Sequence, residues 1–188
     1  MNIAFSTALT GLNKFTYSSL EALAGKSKTI SKNVAIPIDA AVGEYTLSAF
    51  CSDAASNVSS TLTRTFTIKD TISPSLTHFS NVAVSLTEDL QFTAIENSKG
   101  LLNKIEVKKI STNQILANIE DNIGIEKVNC LIRDGGKVYQ NKNMTFSASQ
   151  LQHTWNYNYP NPQYPDQYIV LTVFDINNNQ RQFQITIP

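Results

Sequence analysis

The chain has 188 residues, enough for one or two domains, and its 15 basic and 15 acidic side chains give a formal net charge of zero. Charged residues make up only 16% of the sequence, and no basic block exists that could neutralise a nucleic-acid backbone. Nucleic acid is therefore excluded as a partner. No apolar run is long enough to span a membrane. Asn, Ser and Thr supply the polarity, as is common in exported β-proteins.

The chain contains one pattern twice. "GLNKFTY" at residues 11–17 matches "GIEKVNC" at residues 124–130, and a proline precedes a tyrosine by the same spacing in each copy, at Pro37 and Tyr45 and at Pro160 and Tyr168. The turn sequences "DAASN" and "DINNN" follow, and each copy closes on an alternating strand. The repeat predicts two homologous all-β modules, residues 1–70 and 71–188, joined at "KDTISPS".

Tyr45 and Tyr168 each open the strand before a final hairpin, which is the position of the tyrosine corner in immunoglobulin-like sandwiches. We assign both rings to that structural role. Residues 33–76 also combine an Ala-rich turn, Gly-x-Tyr, Asp-x-x-x-Asn and an Asp-Thr-x-x-Pro linker. In this, the chain resembles tandem bacterial immunoglobulin-like domains of cell-surface proteins and lipoproteins, notably of Bacteroidetes. The second copy departs from the pattern at "NPQYP".

The additional strand-like segments within residues 71–188 predict an enlarged second domain, and the start inside an apparent strand could leave the first one N-terminally truncated. The resemblance itself implies two tandem immunoglobulin-like β-sandwich domains. It also implies an exported, non-enzymatic adhesion, interaction or spacer module at the cell surface, with an extracellular protein or a glycan as partner. Met1 directly precedes an apparent strand, "NIAFSTAL", which predicts that a signal peptide or lipid anchor has been removed.

Residues 82–110 are open to two interpretations. "VAVSL" and "LQFTA" alternate like strands of the second domain, whereas "SLTED" could begin a short helix and the region could be a degenerate extra module. The segment after them reads as a hairpin that turns at Thr112 and Asn113.

Catalytic signatures are absent from the sequence. His78 and His153 stand in ordinary strand contexts, and no strained Gly-x-Ser-x-Gly turn presents a nucleophile. Cys51 and Cys130 lie in different modules on apolar strands, so we interpret both as buried small hydrophobic residues rather than a disulfide. The sequence predicts a protein that is not an enzyme and needs no cofactor.

Calcium is the one metal with sequence support. Asp121 belongs to a loop that a sandwich places at the same end as the loop of Asp175 and Asn177. Carboxylate and amide oxygens suit Ca²⁺, but the glycine and glutamate of an EF-hand loop are missing. A hairpin turn is the simpler interpretation, and a junctional cation is the alternative.

The stretch "WNYNYPNPQYPDQY", residues 155–168, concentrates aromatic rings and prolines. Aligned through the prolines, Tyr157 and Tyr159 fall on the apolar positions of Val34 and Ile36 in the first copy, so we expect them to face the core. The corner could simply be stiffened by these rings, or it could bind a partner.

The carbohydrate hypothesis rests on the other two rings of that stretch. Trp155 and Tyr164 align with a lysine and a small turn residue, so they are the rings expected to be exposed. Exposed rings can stack on sugar C–H surfaces while amides bind hydroxyls. The candidate ligand-binding residues are therefore Trp155, Tyr164, Asn161 and Gln163.

Overall fold

The structure is a computed structural model that describes residues 2–5 and 15–16 as backbone, and residues 35–38, 40–53, 55–80, 84–85, 87–158, 164 and 167–186. Every named element in these ranges is a β-strand, which confirms the all-β class. In this part of the chain no helix long and apolar enough to cross a membrane is found. The chain divides into two compact units, Met1–Asp70 and Thr71–Pro188.

The first unit contains one antiparallel sheet of four described strands in the order β2-β1-β3-β4. The strands are β1 (Asn2–Phe5), β2 (Phe15–Thr16), β3 (Gly43–Phe50) and β4 (Leu62–Ile68).

Tyr45 is the buried hydrophobic residue among the described side chains of this unit. Its hydroxyl donates a hydrogen bond to the Ala41 carbonyl at 2.6 Å, and its ring stacks on Phe66 at 5.8 Å between centroids. The predicted tyrosine-corner role of Tyr45 is thus confirmed.

The second unit is a sandwich of two antiparallel sheets. One has the order β10-β9-β12-β13 and the other has the order β11-β6-β7-β8-β5. The strands are β5 (Ser75–Phe79), β6 (Asp89–Glu96), β7 (Leu102–Lys109), β8 (Ile115–Glu120), β9 (Ile125–Asp134), β10 (Lys137–Thr145), β11 (Gln152–Asn156), β12 (Gln167–Asp175) and β13 (Gln180–Thr186).

The core of this unit is built from alternate residues of both sheets. In β9, for example, Val128, Cys130 and Ile132 are fully buried, whereas the residues between them are partly exposed. Residues that alternate in this way face the opposite sheet, and their burial is the main stabilising contribution to a sandwich.

Residues 82–110 resolve into strands of the second unit. Their described part contains β6 and β7, which pair with each other and join the five-stranded sheet. No described residue there is helical. The hairpin predicted at Thr112 and Asn113 is confirmed, since β7 and β8 flank it and Asn113 adopts a left-handed φ of 56°.

The interpretation of the cysteines is half correct. Cys130 is buried in β9, and this burial raises the pKa of its thiol well above the usual value. Cys51, however, is exposed, because it follows the end of β3 rather than lying within it.

The corner role predicted for Tyr168 is wrong. In β12 the residues that face the core are Ile169, Leu171 and Val173, and Tyr168 lies on the opposite side of the strand. Tyr45 precedes its turn aspartate by eight residues and Tyr168 precedes its own by seven. The one-residue difference turns Tyr168 to the other face of the sheet and places Gln167 inside.

Candidate functional site

Trp155, the first residue proposed for sugar binding, is fully buried. It lies in β11 opposite Leu90 of β6, and its ring packs against Tyr157 at 4.9 Å between centroids. The prediction that this ring is exposed is therefore wrong. Trp155 is two residues from Tyr157, so the period of a strand already placed both rings on one face. This two-residue spacing is the sequence feature from which the burial of Trp155 could have been predicted.

Tyr157 is buried, as predicted. Its hydroxyl donates a hydrogen bond to the Ser85 carbonyl at 2.8 Å. Burial, and to a lesser extent the nearby charges of Glu88 and Asp89, raises the pKa of Tyr157 above its ordinary value. The ring is a core residue with a satisfied polar tip, and Tyr159 lies outside the described residues.

Tyr164 keeps 43% of its surface exposed, as expected for a recognition residue. Its backbone N–H donates to Asp134 at 3.0 Å, and the same carboxylate oxygen accepts from the Gln167 side chain at 3.1 Å. The ring lies on Gly135, at the tip of the β9–β10 hairpin. Asn161 and Gln163 lie outside the described residues. The structure thus brings Tyr164 to a hairpin tip, while Trp155 lies in the core.

The two turns of the repeat have one hydrogen-bond pattern. Asp175 Oδ1 accepts from the backbone N–H groups of Asn177 and Asn179, and its Oδ2 accepts from the Asn179 amide at 2.7 Å. Asp53 makes the equivalent bonds to Ala55 and Asn57. The side-chain and backbone bonds from Asn57 lower the pKa of Asp53. Both sequences are therefore hairpin turns, as predicted.

Asp121 and Asp175, the two predicted metal candidates with carboxylates, lie close together in the second unit. A carboxylate oxygen of each lies within 4.8 Å of the other, and both residues are buried. Asp121 Oδ1 accepts from the backbone N–H groups of Ile123 and Gly124, both at 2.9 Å. The two loops meet at one end of the sandwich, as the topology predicted, and the pair offers hard oxygen ligands of the kind that calcium uses. Asn177 contributes its backbone N–H to the Asp175 turn.

The two histidines are in separate settings. His153 is half-buried, with its ring edge-on to Phe146 at 5.0 Å and its Nε2 at 2.7 Å from the Thr145 carbonyl oxygen. His78 is exposed on β5. Neither has a serine, cysteine or carboxylate as a hydrogen-bond partner among the described residues, so neither is placed as a general base.

The described surface of the second unit includes two recesses of note. One, of about 420 Å³, is lined by small and amide residues of β6 and the loop before β11, including Thr93, Ala94 and Gln150. The other, of about 200 Å³, is lined mainly by apolar residues, with Glu126 at its edge. Neither contains the pair of titratable groups that general acid–base chemistry needs.

The outward side of the sheet β10-β9-β12-β13 is a feature that the sequence analysis missed. Amide side chains recur there with the period of a strand, at Asn141 and Asn143 in β10 and at Gln180, Gln182 and Gln184 in β13. This alternation was visible in "QRQFQ" and could have marked the face, but the closing strand was interpreted only as the end of a repeat.

The match to a known sequence family supports the fold. The sequence profile of a family described as bacterial Ig-like domain matches residues 79–179, which is more than half of the chain. No curated protein shows significant similarity. A solved structure of fibronectin(III)-like modules of Clostridium thermocellum CbhA is similar at 18% identity and a TM-score of 0.30, covering 79% of this chain. The chain spans 64% of the length of that structure.

Proposed function

Because the chain belongs to the bacterial Ig-like domain family, we propose that it is an exported, non-enzymatic interaction module that acts at the cell surface or outside the cell. The observation that carries the proposal is the filled interior of the second unit. Large side chains from both sheets, Trp155 and Phe92 among them, are fully buried there. With the inner faces filled, recognition is left to the outer surfaces.

An adhesion role and a spacer role make different predictions. An adhesin binds a partner saturably, whereas a spacer binds none. We expect the fluorescently labelled chain to bind saturably to at least one spot of an array carrying extracellular-matrix proteins and glycans. Binding to no spot would contradict the interaction role. Turnover of chromogenic ester, glycoside or peptide substrates, lost on substituting His153 or His78, would contradict the non-enzymatic assignment.

The four candidate residues of the carbohydrate alternative cannot all contact one sugar. They are Trp155, Tyr164, Asn161 and Gln163. A fully buried Trp155 has no ring face to offer a sugar. Tyr164 retains an exposed ring and stays in the proposal as a contact at the hairpin tip. The array separates protein from glycan partners directly.

We further propose that the module needs no cofactor. The backbone N–H groups that bind Asp121 and Asp175 give both buried carboxylates compensating interactions without a metal. After treatment with EDTA, added CaCl₂ is then expected to leave the melting temperature unchanged, with MgCl₂ at equal ionic strength as the control. A calcium-specific rise of several degrees would instead support a structural calcium ion at this pair, since a ligand that binds the native state stabilises it.

A further inference from the structure

The outward face of the four-stranded sheet carries exposed amide side chains on both of its edge strands. Residues directly opposite each other in an antiparallel pair point to the same side, so the register defines rows across β10, β9, β12 and β13. Two adjacent rows form the middle of this face, which we call the amide face: Asn143, Asn129, Thr172 and Gln182 in one, and Asn141, Leu131, Val170 and Gln184 in the other.

Amides form the outer layer of this face. Val170 and Thr172, on the central strand β12, are buried at 5% and 4% exposure, although they point away from the core. The asparagines of β10 and the glutamines of β13 are exposed on either side of them. A ligand that lies on the face therefore meets amide groups first.

The amides of β9 and β10 are pre-oriented. Asn129 donates through Nδ2 to Asn141 Oδ1 at 2.6 Å and to Asn143 Oδ1 at 2.7 Å. Each of the two β10 asparagines thus uses its oxygen within the protein, which directs its NH₂ donors outward. Asn129 keeps its own oxygen as an acceptor. Fixing these groups before binding lowers the ordering cost that a ligand must overcome.

The face is close to neutral. The two end rows, which flank the middle rows, are Thr145, Lys127, Phe174 and Gln180 at one end and Val138, Arg133, Tyr168 and Thr186 at the other. None of the four rows contains a carboxylate, and the two cations lie in the end rows. Lys127 Nζ sits over the Phe174 ring at 4.2 Å, and Arg133 donates to the Gly136 carbonyl at 3.0 Å. Both cations are engaged within the protein, so the chemistry that the two middle rows expose is that of uncharged donors and acceptors.

We propose that the amide face binds a neutral polysaccharide chain; this inference rests on the proposed interaction function and specifies its ligand class. Uncharged amides that both donate and accept match sugar hydroxyls, which do the same. Four strands and four rows give a surface of about 14 by 20 Å at ordinary sheet spacings. A face of this breadth suits an extended chain, whereas small molecules occupy concave sites.

The test is native affinity electrophoresis of the full chain in gels that contain hydroxyethylcellulose, xyloglucan, mixed-linkage β-glucan or galactomannan. Gels with alginate serve as the anionic comparison. We expect retardation by at least one neutral polymer and none by alginate. Retardation by no neutral polymer, or by alginate alone, would overturn the inference.

The double variant N143A/Q182A removes the exposed amides at the two ends of one row, on the edge strands β10 and β13. Loss of two hydrogen bonds of ordinary strength predicts a dissociation constant raised about tenfold, while the melting temperature stays within about 2 °C because both side chains are exposed. The matched control is Q152A, an exposed amide on β11 of the other sheet, and it is expected to bind like the wild type.

Outcomes of this experiment and of the array are distinguishable. Binding to matrix proteins alone leaves the interaction function standing and overturns the glycan inference. Glycan binding that N143A/Q182A leaves intact also overturns the amide face, because it locates the site elsewhere. If N143A/Q182A lowers the melting temperature, the single variant Q182A, which leaves the hydrogen bond from Asn129 to Asn143 in place, tests the same face.

Discussion

At the scale of single residues, side-chain direction decides which aromatic group can bind and which one stabilises. Trp155 and Tyr164 lie in one aromatic stretch, yet one is fully buried and the other is 43% exposed. The difference comes from partners: Trp155 pairs with Leu90 inside the sandwich, and Tyr164 lies on the glycine of a hairpin tip.

The substitution Trp155→Ala should therefore lower the free energy of unfolding of the protein and should not remove binding selectively. Removing a fully buried aromatic ring costs about 3–5 kcal/mol of unfolding free energy. Tyr164→Ala, the exposed control from the same stretch, should cost less than about 1 kcal/mol. Urea denaturation of both variants measures these losses. Equal stability losses would contradict the burial of Trp155.

Asp53 supplies a pH-dependent prediction. Its folded-state pKa is lowered by the side-chain and backbone bonds from Asn57. The carboxylate therefore stabilises the turn above its unfolded pKa of about 3.9, and this contribution is lost as the pH falls through the lower folded value. Asn57→Ala should move the pKa of Asp53 back up toward the ordinary value. Carboxyl carbon shifts in an NMR titration measure the change, and an unmoved pKa would show that the Asn57 side chain is not its cause.

At the scale of elements, turns and registers position the exposed surface. The β9–β10 hairpin turns through Gly135 and Gly136, with left-handed φ values of 54° and 85°. A Cβ at Gly135 would meet the Tyr164 ring, whereas a Cβ at Gly136 would meet nothing within 4 Å. The two glycines are thus a matched pair. Both have a left-handed backbone conformation, but only at Gly135 would a Cβ meet a neighbouring side chain.

Gly135→Ala should destabilise the protein more than Gly136→Ala. Both substitutions place a Cβ on a residue with left-handed backbone, which costs about 1–2 kcal/mol of unfolding free energy. Only Gly135→Ala also displaces the Tyr164 ring. Urea denaturation in the wild-type and Tyr164→Ala backgrounds measures the difference, which should shrink in the latter because the displaced ring is gone. If the two stability losses differ by the same amount in the Tyr164→Ala background, the cause of the difference lies in the backbone and not in the Tyr164 ring.

At the scale of the whole molecule, the buried cluster of the second unit draws all of its residues from the range 84–185. That unit therefore contains a complete core of its own. The first unit shows Tyr45 as its buried hydrophobic residue in the part of the chain that the structure describes.

The fragment 71–188 should therefore fold alone. We expect a cooperative thermal transition at a temperature within a few degrees of that of the full chain. The near-ultraviolet circular dichroism signal of the buried Trp155 measures this transition. A fragment without a cooperative transition would mean that its core depends on residues 1–70. The isolated fragment would also retain the amide face, because all four of its strands lie within it.

Much of the strand pattern could be predicted from the sequence, since it depends on neighbours along the chain. Alternation marked β3 and β13, and the Asp-x-x-x-Asn turns form through bonds between residues at most four apart. The equal spacing from proline to tyrosine did not predict the direction of Tyr168, because its distance to the following turn is one residue shorter and this reverses the face.

The sequence alone determined an all-β chain with two equivalent turns and a neutral surface rich in amides and hydroxyls, because these properties follow from composition, alternation and short-range bonds. The bacterial Ig-like type came from the resemblance that its motifs carry. Tertiary structure decided three further points: the burial of Trp155, the approach of Asp121 to Asp175, and the assembly of amides from three strands into one face. Each depends on pairing between strands far apart in the chain. Period and propensity specify which side chains alternate, but only the register specifies which of them meet.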